Sequence, residues 1–356
     1  MKRFFVFAIL YIMTLYAVSA AEDSAYIMVF HKDEDHSLYM AYSRDGYQWT
    51  ALNDDRPIMA GDTIAEQKGI RDPYIFRSPD GEFCVAMTDL HVFGREKGLR
   101  ETKWERPDKY GWGNNRGLVL LKSPDLIHWK RTNLDFSKLK YPTGQTDAEG
   151  NPITWSEVGC VWAPEMIIDD TNGQIMLHFT TRFGNGRNMI YYAYLNGDFS
   201  ELTSVPKFLY GSAKDENGNF IFNMIDSDII KVGDTYHLYT SQHGFGKHAT
   251  SKLLTGPYVP DEDFSDLQEL RHEALTVWPA PEEGSWIIMY DNYSKDPDNF
   301  GFIRTSDFKS YEYIGHFDED GSPMTRTNFN VQKHGGVTRV THEELETLIS
   351  YWEKDN

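Results

Sequence analysis

The chain has 356 residues, with 54 acidic against 35 basic side chains and a formal net charge of -19. A field of that sign repels phosphate backbones and argues against nucleic acid as a partner, while neutral sugars would not be repelled. The two cysteines are too few for a disulfide scaffold, and no spacing of ligating residues suggests zinc.

In chain order, the first segment is MKRFFVFAILYIMTLYAVSAAEDS. Lys2 and Arg3 precede an apolar run from Phe4 to Val18, and Ser19, Ala20 and Ala21 follow it. That pattern predicts a cleaved signal peptide over 1–21, and so an exported chain, periplasmic or secreted, with no membrane attachment after cleavage. The run is short against the about 20 residues of a membrane span, and an uncleaved anchor is the alternative. No cysteine precedes Cys84, so no lipid-attachment cysteine follows the run. Residues 22–356 read as a single catalytic domain.

The rest is short strands rather than helices. AYIMVF, QIMLHFTT, DTYHLYTS and SWIIMYD are rich in β-branched and aromatic residues and are punctuated by Gly, Asp and Asn. Only the tail HEELETLISYWEK carries a helical period. Cys84 and Cys160 sit within apolar stretches and read as buried thiols, a disulfide between them being the alternative.

Two elements recur. One is a strand, a turn of S-x-D type and an aromatic or apolar end: AYSRDGYQW, LKSPDLIHW and RTSDFKSY, with weaker copies in YLNGDFSEL and KLLTGPY. Asp and Ser side chains hold such bends by bonding their own backbone. The other is a strand pair that precedes four of these ends: IRDPYIFRSPDGEFCVAM, WAPEMIIDDTNGQIMLHF, IDSDIIKVGDTYHLY and EALTVWPAPEEGSWIIMY. Together they make four strands, one propeller blade. Four blades are complete, and the N-terminal part lacks a first strand. HGGVTRVT at 334–341 supplies it, so the two ends of the chain close one blade. The predicted fold is all-β, a five-bladed β-propeller, against a β-sandwich as the alternative.

The innermost strand of each blade lines the axis, and Asp72, Asp226 and Glu273 each open one. Equivalent places in the repeat bring three carboxylates to one funnel. Alone, each reads as a turn or solvated residue. Together they are what glycosidic cleavage needs: an ionised carboxylate that activates water, a protonated one that serves the leaving oxygen, and a neighbour that raises the acid's pKa.

In RDPYIF (Arg71–Phe76), VWAPEM (Val161–Met166), IDSDII (Ile225–Ile230), EALTVW (Glu273–Trp278) and KHGGV (Lys333–Val337), the sequence resembles glycoside hydrolase family 43, whose fold is the five-bladed propeller. The resemblance runs over nearly the whole chain after the leader. It implies Asp72 as general base, Asp226 as the aspartate that tunes and orients the acid, and Glu273 as general acid of an inverting enzyme. Asp228, two residues after Asp226, is the alternative modulator. The family often has Glu-Gly-Pro at the acid; here it is Glu273-Ala274-Leu275. Trp162 is expected to line the sugar pocket.

The long insertion His91–Gly117 either walls the pocket, with Trp112, and imposes exo action, or is a solvated excursion. In TRFGNGRN (Thr181–Asn188), Arg182 or Arg187 is expected near sugar hydroxyls. The resemblance also leaves room for a structural calcium at His334, with no cofactor required for turnover. The expected substrate is an oligo- or polysaccharide. The expected activity is removal of terminal sugars from plant polysaccharides or glycan side chains, α-L-arabinofuranosidase first and β-xylosidase or exo-β-galactosidase next. A carbohydrate-binding propeller without turnover is the reading from a different class. The sequence leaves the oligomeric state open.

Overall fold

The computed structural model describes residues 24–353 apart from 148, 215–219, 222, 265–270 and 296, so the leader at 1–21 lies outside the described residues. Five antiparallel sheets surround one axis. The first blade runs outward from Lys333–Thr341 through Ser24–His31 and Leu38–Ser43 to Gln48–Ala51. The second, third, fourth and fifth blades begin at inner strands Ile70–Arg77, Val158–Asp169, Met224–Val232 and Glu273–Pro279. The first blade closes as expected: Ser24 to Phe30 pair antiparallel with Thr341 to Gly335. A short strand not anticipated from sequence, Thr325–Arg326, adds in parallel to its outer edge. The C-terminal helix His342–Glu353 buries Leu345, Leu348 and Ile349.

The apolar faces form five cores, one between each pair of neighbouring blades. Strands buried on both faces read as near-continuous apolar runs, which is why QIMLHF and SWIIMY show no alternation. The S-x-D turns work as their composition predicts. Asp45 Oδ1 accepts from the amides of Tyr47 and Gln48, Asp125 Oδ1 from Ile127 and His128, and Asp307 Oδ1 from Lys309 and Ser310. Cys84 and Cys160 are buried free thiols. No described helix is long and apolar enough to cross a membrane.

A second five-fold pattern sits at the start of the inner strands. Each carries a bulge. At that bulge a residue adopts the left-handed conformation: Asp72 (φ 51°), Ala163 (43°), Asp226 (53°), Ala274 (60°) and His334 (31°). A side chain in that conformation costs about 1–2 kcal/mol. Each bulge is held by its amide, which donates to a side chain near the end of the second strand of the preceding blade. Asp72 donates to His31 Nδ1 (3.3 Å), Ala163 to Thr88 Oγ1 (2.9 Å) and Asp226 to Thr180 Oγ1 (3.1 Å). Ala274 donates to Ser241 Oγ (3.0 Å) and His334 to Asp291 Oδ2 (3.2 Å). This ring of five latches ties neighbouring blades together at the end of the axis where the carboxylates lie.

Candidate active site

The bulges decide which side chains enter the funnel, because a bulge turns two successive residues away from the strict alternation of a strand. Asp72 and Asp226 occupy the bulge position itself. Glu273 does not. It stands one residue earlier, at the place held by Arg71, Trp162, Ile225 and Lys333 in the other blades, and Ala274 is its blade's bulge residue. The expectation that all three acids hold equivalent places is corrected accordingly.

His334 is the hub. Its Nδ1 lies 3.3 Å from Asp72 Oδ1. Burial alone would lower its pKa, but Asp72, Asp226 and Glu273 raise it to about 9, so it is an imidazolium at neutral pH. Asp72 is buried, which opposes its charge, yet His334 and Arg71 outweigh burial and hold its carboxyl far below the ordinary range. Thr88 Oγ1 donates to Asp72 Oδ2 at 2.8 Å. His31, buried and beside Arg71, is lowered to about 4 and stays neutral, which keeps Nδ1 free to accept the Asp72 amide.

The other two acids shift the opposite way. Burial raises Asp226 well above its usual value, and Glu273, Asp72 and Asp291 add to this against His334. Burial likewise raises Glu273, opposed by His334, Arg71 and Lys333 and reinforced by Asp72. The funnel therefore holds one carboxylate and two carboxyls that resist ionisation, set apart by environment.

Asp228 faces elsewhere. Its Oδ2 accepts from the Val277 amide at 2.5 Å, and it shares a side-chain hydrogen bond with Glu165. Burial and Asp228 push Glu165 well up, and burial brings Asp228 to about 6. Asp228 and Glu165 stand two residues further along their inner strands than Asp226 and Ala163, and Asp226 is the one that feels the charges of His334 and Glu273.

The insertion His91–Gly117 folds against the funnel. Asn115 clamps it: Nδ2 donates to the carbonyls of Gly117 and Val161 (both 2.9 Å), and Oδ1 accepts from the Val161 amide (2.6 Å). Trp162 Nε1 donates to the Gly113 carbonyl (2.8 Å). Trp112, 74% exposed, meets Trp162 edge-on with ring centroids 5.9 Å apart. Arg182, expected near sugar hydroxyls, is buried. Its guanidinium lies 4.6 Å over the Trp162 ring and donates to the carbonyls of Tyr110 (3.1 Å) and Trp112 (2.5 Å). It anchors the loop and the tryptophan together.

The sequence reading missed the rim and latch residues. Arg71 Nη1 donates to Asp33 Oδ1 (2.5 Å), and Lys333 Nζ reaches Asp298 (3.3 Å) and Asp33 (3.8 Å). The one available signal was a polar residue near the end of each second strand, within VFH, MTD, FTT, YTS and MYD, and it means nothing until strand register is known. No group of three His, Cys, Asp or Glu among the described residues is placed to hold a metal ion.

The family profile described as "Probable glycosyl hydrolase domain", related to glycoside hydrolase family 43, matches residues 22–346. The chain belongs to that family. This glycoside hydrolase is also similar in fold to solved structures. One is an endo-1,4-beta-xylanase from Bacteroides thetaiotaomicron, at 14% identity over 82% of this chain and 90% of that one, TM-score 0.52. Another is an alpha-L-arabinanase from Cellvibrio cellulosa complexed with arabinohexaose, at 13% identity over 86% and 96%, TM-score 0.51. A third is a xylan beta-1,4-xylosidase from Bacillus halodurans, at 14% identity over 86% of this chain, which spans 54% of that one, TM-score 0.52. At such identity they speak to fold alone. No curated protein matches the chain.

Proposed function

We propose that this glycoside hydrolase is an exo-acting, inverting glycosidase that removes terminal sugars from plant polysaccharide or glycan side chains, an α-L-arabinofuranosidase before a β-xylosidase or exo-β-galactosidase. The observation that carries the reading is the split within the funnel: Asp72 is held ionised while Glu273 and Asp226 are held toward protonation around one imidazolium. Glu273 gives its proton to the glycosidic oxygen as the bond to the anomeric carbon breaks. A water attacks that carbon from the opposite face and gives its proton to Asp72. Asp226 keeps Glu273 protonated and oriented.

Asp72 is a weak base for this task, since its pKa lies so low. It orients the water and takes the proton late, once positive charge has developed on the sugar. Trp162 and the exposed Trp112 form an apolar wall for a sugar face, and Arg182 acts on the sugar through them. The loop that carries Trp112 covers one side of the funnel, which favours exo action. The related folds act on arabinan and on xylan according to their names, and both classes of terminal sugar are therefore tested.

The test is product release from nitrophenyl α-L-arabinofuranoside, β-xyloside, β-galactopyranoside and β-galactofuranoside, followed by digests of arabinan and arabinoxylan. Release of arabinose supports the reading. Release of another sugar replaces the substrate and keeps the mechanism. Binding by calorimetry with no release from any substrate overturns the enzyme mechanism in favour of a binding propeller.

A further inference from the structure

The latch ring contains one member that its structural task does not explain. Thr88, Thr180 and Ser241 accept the bulge amide through a hydroxyl, and His31 through a neutral imidazole. Asp291 performs the same task with a carboxylate, fully out of solvent contact at its side chain. A hydroxyl would suffice, and burying a carboxyl is costly. Only Oδ2 is used by the His334 amide; Oδ1 is buried and has no hydrogen-bond partner among the described residues.

Its position supplies a reason. Asp291 is the direct cross-strand partner of Glu273. The two carboxyls belong to neighbouring strands of one blade, at the level of the funnel. The groups that face Asp291 are Glu273 from the inner strand, His334 and Lys333 (Nζ 4.0 Å from Oδ2) from the closing strand, Asp298 from the following loop, Asp226 from the fourth blade, and Tyr293 two residues on.

We propose that Asp291 is a positioning residue of this active site: through the His334 amide it sets the imidazolium in place, and as cross-strand partner of Glu273 it forms with that glutamate a buried carboxyl pair that retains one proton. This rests on Glu273 being the acid. Two carboxyls on paired residues, walled from water, do not both ionise cheaply, so one proton stays with the pair well above the ordinary carboxylate range. Burial and Glu273 raise Asp291 to about 7 against Lys333 and His334, which agrees with the geometry.

The experiment is a carboxyl-carbon NMR titration of the full chain labelled at glutamate Cδ, with Glu273→Gln to assign the Glu273 resonance. Asp291→Asn keeps an oxygen for the His334 amide and removes the charge. Asp291→Thr restores the hydroxyl that the ring uses elsewhere. In both variants the Glu273 midpoint is expected to fall by roughly one pH unit, and the basic limb of the activity profile on whichever nitrophenyl glycoside of the panel is cleaved is expected to fall with it. A purely structural latch would leave both unmoved in the threonine variant. Midpoints that coincide with wild type in the two variants overturn the inference. Turnover of Glu273→Gln is read separately on an unactivated oligosaccharide. Full turnover there removes the acid assignment and this inference with it, whereas loss of turnover with an unmoved midpoint removes this inference alone.

Discussion

At the level of single residues, the proposed mechanism requires Asp72 ionised and Glu273 protonated. Asp72 is depressed, so the acid limb of kcat/KM is expected below the about 3.9 of an ordinary aspartate. Glu273 is raised, so the basic limb is expected above the about 4.3 of an ordinary glutamate. A pH profile checks both, and an acid limb above pH 5 would remove Asp72 from the role of base. Glu273→Gln is expected to lose most turnover of substrates with poor leaving groups while calorimetric sugar affinity persists. For Asp72→Asn, turnover falls, and added azide is the probe for rescue. Full activity without a nucleophile ends that assignment.

His334 also links the site to stability. Its folded pKa, about 9, lies above the ordinary 6.5, so its contribution is complete below about pH 6.5 and is lost as pH rises through 9. Asp291, raised to about 7 from 3.8, has the same sign, its contribution being lost as pH rises through 7. The Tm is therefore expected to fall between pH 6 and 9.5, and His334→Asn is expected to flatten the upper part of that slope in differential scanning calorimetry.

At the level of elements, the latched bulge is the device that matters. Thr180→Val keeps the shape of the latch but leaves the buried Asp226 amide without an acceptor, at a cost of about 1–3 kcal/mol. The expected result is a lower Tm together with reduced kcat, because Asp226 is the side chain on that bulge; Thr180→Ser restores both. The loop wall makes a separate prediction. Gly113 has φ +61°, and a Cβ there would lie 2.9 Å from the Trp162 ring. Gly113→Ala is expected to raise KM by displacing the tryptophan, with a smaller change in kcat, in steady-state assays. Trp112→Ala is expected to raise KM for longer oligosaccharides more than for nitrophenyl glycosides.

Across the whole molecule, closure depends on the C-terminal segment. Lys333–Thr341 is the inner strand of the first blade, and without it Ser24–His31 becomes an exposed apolar edge. A chain ending at Gln332 is expected not to fold, and one ending at Thr341 to fold with a lower Tm. The second loses only the helix, whose Leu345 and Leu348 are fully buried, at about 2–5 kcal/mol for each side chain of that kind removed. Circular dichroism and thermal melts separate the two. Retained activity in the longer form is expected, since the helix lies away from the funnel.

The propeller, its five repeats, its closing strand and the convergence of Asp72, Asp226 and Glu273 were legible in the sequence. Turn chemistry and buried apolar runs are local properties, and each copy of the repeat repeats them. The motif preferred Asp226 over Asp228 as modulator, although the spacing of the two residues could not choose. What the chain did not disclose is register. Whether an acid sits on a bulge or one residue before it, as Asp226 and Glu273 differ, depends on pairing between strands. The same holds for the latches: His31, Thr88, Thr180, Ser241 and Asp291 are not of one residue type, and only the packing of one blade against the next makes them equivalent. Charge states were decided at that level too. Asp72 and Asp226 have the same side chain on the same kind of bulge, yet one is held ionised and the other is pushed toward protonation, because burial acts on both while the hydrogen bond to His334 and the charge of Arg71 favour the ionised form of the first.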